Sequence, residues 1–155
     1  MRLIYTHKID WENCKGLGLT PKKLKEYFND GRPMGRFAEF IIEEAFDGIR
    51  ENENSKFDII ENNGIKSEIR TITKEANFAA SKETGYGRKV TKEGFQEKLD
   101  SLDRYIFADI RKIEDGIVNF IEVTKDNILY LPLGINKTIS AKKFYEIYDR
   151  IKQDI

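Results

Sequence analysis

Apolar residues recur along this chain with two periods, and each switch of period marks a new element. Thr20-Pro21 followed by Lys22 to Phe28 reads as an N-capped helix with proline at its first position, ending near Gly31. Gly31-Arg32-Pro33-Met34-Gly35 reads as a breaker cluster. A second helix follows, with Phe37, Phe40, Ile41, Glu44, Ala45 and Gly48 along one side. Glu39, Glu43 and Asp47 recur on an adjacent stripe, and Arg50 to Ser55 reads as a polar loop.

The period then shortens. Phe57 to Ile60 predicts a strand, Glu61-Asn62-Asn63-Gly64 a hairpin turn with the Asn-Gly signature, and Ile65 to Thr73 the partner strand. Side chains alternate along a strand, so Lys66, Glu68, Arg70 and Ile72 share one face, and Ile65, Ser67, Ile69 and Thr71 the other. Lys74 to Val90 is small, polar and basic, with glycines at 85 and 87, and reads as an exposed loop. Thr91 caps a helix through about Asp103 that buries Phe95, Leu99 and Leu102. Tyr105 to Ile110 and Ile117 to Val123 predict strands joined by a turn at Glu114-Asp115-Gly116, and Asn127 to Leu133 a shorter strand. Ser140 caps a last helix with Phe144, Ile147, Tyr148 and Ile151 on its apolar side. This order predicts one α/β or α+β domain, a mixed sheet with helices packed against it.

Composition narrows the class. The 155 residues suffice for one core without staples. No apolar run is long enough to span a bilayer, and the apolar start is too short for a signal peptide, so no membrane partner is expected. One cysteine, Cys14, excludes an internal disulfide and suits a reducing cytoplasm. One histidine, His7, is too few for a histidine-metal nuclease and leaves Cys14 a poor nucleophile.

Net charge is zero, so what matters is where the charge sits. Met1 to Arg36 holds eight Lys/Arg against four Asp/Glu, Glu39 to Glu61 two against eight, and Ser81 to Lys98 five against three. An acidic centre between basic segments suits a metal site beside a phosphate track, although ordinary solvated charge gives the same pattern. Within that centre Asp58 and Glu68 stand on neighbouring strands, where two carboxylates can hold a hard divalent cation.

Glu39 on a helix, Asp58 at a strand and the tripeptide Glu68-Ile69-Arg70 ten residues later resemble the PD-(D/E)xK nuclease superfamily, and within it the small type II restriction endonucleases. The resemblance covers roughly Gly35 to Val123. It implies a restriction-endonuclease-like mixed β-sheet flanked by helices, and Mg²⁺-dependent hydrolysis of phosphodiesters in double-stranded DNA. Asp58 and Glu68 would then be metal ligands, and Glu39 would complete a second metal site or orient a metal-bound water. The family usually carries lysine where this chain has Arg70. Arginine stays protonated, so it can bind a phosphate oxygen but cannot act as a general base. Lys66, on the same face, is a substitute for the lysine role.

The loop after these strands supplies candidate DNA contacts: Arg88 or Lys82 to guanine, Asn77 to adenine, and Ser81, Tyr86 and Lys89 to phosphates. Cutting a duplex needs two sites related by symmetry, so a homodimer is expected. A Holliday-junction resolvase-like nuclease and a catalytically inactive DNA-binding module are the alternatives.

Overall fold

The computed structural model describes residues 1–14, 18–51 and 55–153. Their strands, in chain order, are β1 Arg2–Lys8, β2 Gly48–Arg50, β3 Ile59–Glu61, β4 Lys66–Ile72, β5 Glu75–Asn77, β6 Arg104–Asp109, β7 Ile117–Thr124 and β8 Thr138–Ser140. The helices are α1 Pro21–Phe28, α2 Gly31–Ala45, α3 Lys92–Asp100, α4 Lys125–Leu129 and α5 Ala141–Gln153. Six strands form one mixed sheet in the order β1-β7-β6-β4-β3-β2, and β5 pairs with β8 in a small second sheet. The fold is α/β, as the element order predicts.

All neighbours in the main sheet are antiparallel except β4 and β6. A parallel pair cannot be closed by a hairpin and needs a crossover. Residues 73–103 make it, and they include α3. This crossover brings α3 over the face of β4 that carries Glu68.

Both faces of the sheet are covered, which is why every residue of β6 is buried. On one face Ile69, Ile106, Ala108 and Phe120 pack with Met34, Ala38, Ile41 and Ile42 of α2. On the other Ile72, Tyr105, Phe107 and Ile121 pack with Leu99 and Leu102 at α3 and Phe144 and Tyr145 of α5. The alternation read along β4 is therefore correct: Ile69 belongs to the first cluster and Ile72 to the second.

Local signals account for the helix starts. Thr20 accepts from the Lys23 N–H ahead of Pro21, and Thr91 accepts from the Gly94 N–H ahead of α3. Ser140 Oγ accepts from the Lys143 N–H at the start of α5. In the hairpin, Gly64 takes φ 83° and donates to Glu61 O at 2.8 Å, closing the turn the Asn-Gly signature predicts.

Several expectations are corrected. Gly31 to Gly35 does not break the chain but forms the first turns of α2, capped by the Asp30 carboxylate. Pro33 falls where a helix N–H has no intrahelical partner in any case, so it does no harm. The buried stripe of α2 is Met34, Ala38, Ile41 and Ile42; Phe40 is exposed, and the Arg50 guanidinium lies 4.0 Å over its ring.

Asn127 to Leu133 is not a strand. Thr124 and Asn127 exchange side-chain bonds in a capping box that starts α4. Lys74 to Val90 is not wholly an exposed loop, since β5 runs through it and Ala76, Phe78, Ala79 and Ala80 are buried. The short strands β2 and β8 lie where no strand was expected. The polar loop expected over Arg50 to Ser55 lies partly outside the described residues.

Candidate active site

Asp58 sits one residue ahead of β3, and its backbone N–H still donates to Ser67 O of β4 at 3.1 Å. Its side chain supplies the next rung of the ladder: Oδ2 accepts the Ile69 N–H at 2.7 Å. The carboxylate is thereby held against β4 beside Glu68. Glu68 points to the opposite face from Ile69, under α3, and is buried.

Two cations hold Glu68. Arg70 donates to its Oε1 at 2.7 Å, and Lys98 Nζ, from α3, donates to its Oε2 at 2.5 Å. Lys98 Nζ also donates to Lys56 O at 2.6 Å. An ammonium has three donors. Among the described residues two are used, and Lys98 itself lines the cleft. The same nitrogen of Arg70 reaches Ala79 O and Ser81 Oγ, each at 3.1 Å, while its Nε is buried with no hydrogen-bond partner among the described residues.

Glu39, Asp58, Glu68, Ser81, Lys82 and Lys98 all line one cleft of 490 Å³. Glu39 is half-buried on α2, bonded to Arg36 at 2.8 Å and 3.8 Å from Arg50. Burial raises its carboxyl pKa above the ordinary value; Arg36 and Arg50 oppose this, and Glu68 adds to it. Asp58 is pushed up to about 6, first by burial, then by the charge of Glu68 and, more weakly, of Glu39, against the Ile69 N–H and Arg70. Three acids therefore raise the cost of negative charge in one cleft, which is where a bound cation gains most.

The donor set fits a hard divalent ion. Asp58 and Glu68 offer oxygen ligands, and Mg²⁺ is commonly bound by one or two carboxylates plus phosphate oxygens. Each carboxylate oxygen carries two lone pairs, so Glu68 can keep both its cations and still ligate. Among the described residues no three acidic, histidine or cysteine side chains gather as a ready-made cage, so Glu39 lines the cleft without closing a three-ligand set.

The remaining expected residues divide. Lys66 shares the face of Glu68 by alternation but stays outside the cleft; it is exposed, with its Nζ 5.5 Å from the Phe57 ring centroid, and lines a neighbouring hollow. Asn77 is half-buried in β5, its Oδ1 taken by the Ala79 N–H at 2.9 Å. Ser81 and Lys82 reach the cleft. Tyr86 and Lys89 are exposed, and Arg88 is exposed with its guanidinium turned to Ser81 O and Thr84 O. His7 packs edge-on against Phe37.

Sequence reasoning missed Lys98. The signal was present: it stands between Phe95 and Leu102 at helical spacing, a charge within an apolar stripe. In comparison with known proteins, no family model matches the chain and no solved structure matches it significantly.

Proposed function

We propose that this chain is a Mg²⁺-dependent endonuclease that hydrolyses phosphodiester bonds in double-stranded DNA, working as a homodimer on a short palindromic site. The observation that carries the reading is the meeting of Asp58, Glu68 and Lys98 in one cleft. Lys98, from α3, is a candidate for the role of the lysine absent from Glu68-Ile69-Arg70. The mixed sheet flanked by helices agrees with what the resemblance implies.

Bound at Asp58 and Glu68, Mg²⁺ would supply Lewis-acid polarisation of a phosphoryl oxygen. The chain's own groups do the rest. Lys98 lines the cleft, and its ammonium would stabilise charge on the scissile phosphate there. Glu68 fixes that ammonium so that no reorganisation is needed when the charge develops. Arg70 ties Glu68 to Ala79 and Ser81, and so sets the segment after β5 against the acids. Glu39 orients water on the α2 side of the cleft. One cleft cuts one strand, so a duplex cut takes two copies.

Incubation with supercoiled plasmid, a four-way junction and Mg²⁺ tests the reading. Discrete plasmid fragments are expected. Cutting confined to the junction makes the protein a resolvase, and binding without cutting makes it an inactive DNA-binding module.

A further inference from the structure

At the mouth of the cleft one carboxylate holds two lysines from separate parts of the chain. Glu97 Oε1 lies 2.9 Å from Lys56 Nζ, and Glu97 Oε2 lies 3.3 Å from Lys82 Nζ. All three side chains are about half or more exposed. Surface ion pairs of this kind contribute little to stability. The arrangement is therefore not needed to hold the fold.

Its position suggests a different use. Lys56 carries the carbonyl that accepts from Lys98 Nζ, and Lys82 follows Ser81, whose hydroxyl accepts from Arg70. Each rim lysine is thus tied through its own segment to a cation on Glu68. The three rim residues line the same cleft as Asp58 and Glu68. Glu97 presents one oxygen to each ammonium, as a phosphodiester would present its two non-bridging oxygens, and both carry a single negative charge.

We propose that Lys56 and Lys82 form a clamp for a DNA phosphate next to the scissile one, occupied in the free protein by the Glu97 carboxylate; this rests on the nuclease reading. Substrate enters by exchange. The backbone phosphate takes the two ammonium groups, and Glu97 turns out to solvent from the exposed side of α3. The clamp sets where the strand crosses the cleft. Glu97 lowers affinity for every DNA sequence alike, because phosphate contacts carry no base information.

The test is a mutant cycle on duplex binding, read by fluorescence anisotropy of a labelled oligonucleotide in EDTA so that cleavage plays no part. Glu97→Gln is expected to bind about 3–10-fold tighter than the native chain, with a steeper dependence on salt, because two lysines lose their internal counter-charge. In the Lys56→Ala/Lys82→Ala background the same Glu97→Gln change is expected to have no effect. Equal tightening in both backgrounds, or none in either, would overturn the clamp. Plasmid cleavage in Mg²⁺ is followed on the same preparations. Coupling without cleavage keeps the clamp and overturns the nuclease; cleavage without coupling does the reverse.

Discussion

Lys98 Nζ lies 2.5 Å from Glu68 Oε2, a contact that joins α3 to the central sheet across thirty positions of sequence. Both side chains are almost wholly buried. Removing one partner of a buried pair costs about 3–5 kcal/mol, and here Arg70 still holds the other carboxylate oxygen. Lys98→Ala is predicted to lose about 2–3 kcal/mol in urea unfolding. It is also predicted to lose about 100-fold or more in cleavage, because the role proposed for its ammonium is to stabilise charge on the phosphate. Lys98→Arg tests the role separately. If it folds and keeps full cleavage, placement of a primary ammonium at that point does not matter.

Arg70 spans three acceptors, Glu68 Oε1, Ala79 O and Ser81 Oγ, with one guanidinium nitrogen. A lysine ammonium sits on a differently shaped stem and is a point charge without a planar fork. Arg70→Lys is therefore predicted to lower cleavage about 10-fold and stability by about 1 kcal/mol. A rise in cleavage would mean that arginine is a compromised lysine, and that Lys98 does not fill the role.

The raised pKa of Asp58 gives a signed pH effect in the absence of metal. Its carboxyl titrates at about 6 in the fold against 3.8 ordinarily, so the folded chain binds this proton more tightly than the unfolded one. Stability from this group is highest below pH 3.8, falls as pH rises towards 6, and stays low above it. Asp58→Asn keeps an acceptor for the Ile69 N–H and removes the charge. In EDTA at pH 8 it is predicted to stabilise the protein by on the order of 2 kcal/mol, and at pH 3.5 by close to nothing. Urea midpoints at the two pH values check it; equal shifts at both would contradict the assignment.

On the proposed function, Mg²⁺ offsets part of that cost. Binding to the folded chain alone raises stability by about 1.4 kcal/mol at ten times the dissociation constant. Thermal melts at pH 8 are predicted to shift upward with Mg²⁺ for the native chain and not for Asp58→Asn. A shift of equal size in both would place the ion elsewhere.

Gly94, which lines the same cleft at the start of α3, presents a packing test. A Cβ there would collide with the Glu83 carboxylate, which accepts from the Thr91 backbone and hydroxyl at the start of α3. Gly94→Ala is predicted to destabilise by about 1–3 kcal/mol through overpacking, although alanine is the better helix former. A stabilised variant in urea unfolding would show that Glu83 gives way freely.

The parts of the site that local sequence encodes were legible. The Asn-Gly turn fixes the register of β3 against β4, and with it the approach of Asp58 to Glu68. Strand alternation put Glu68 and Arg70 on one face, and the caps at Thr20, Thr91 and Ser140 marked three helices. Lys98 was not legible as a site residue, because its partner is reached only through the parallel crossover. Alternation alone put Lys66 forward instead; it gives the face of a strand, not how far a side chain at its end reaches. The segment at Ala76 to Ala80 looked like surface because small residues show no apolar period. It is buried because β8 pairs with it and Phe78 packs on Tyr105 and Phe107. At Asn127, helix capping outweighed an apolar run too short to identify a strand.

The most direct measurement is plasmid cleavage by the purified chain, scored with and without Mg²⁺, for the native protein, Asp58→Asn and Glu68→Gln. Mg²⁺-dependent cutting by the native chain is predicted, abolished by EDTA and reduced by each substitution by about 1000-fold or more, as for loss of a group essential to transition-state stabilisation. No cutting by the native chain, or cutting that survives both substitutions, would contradict it.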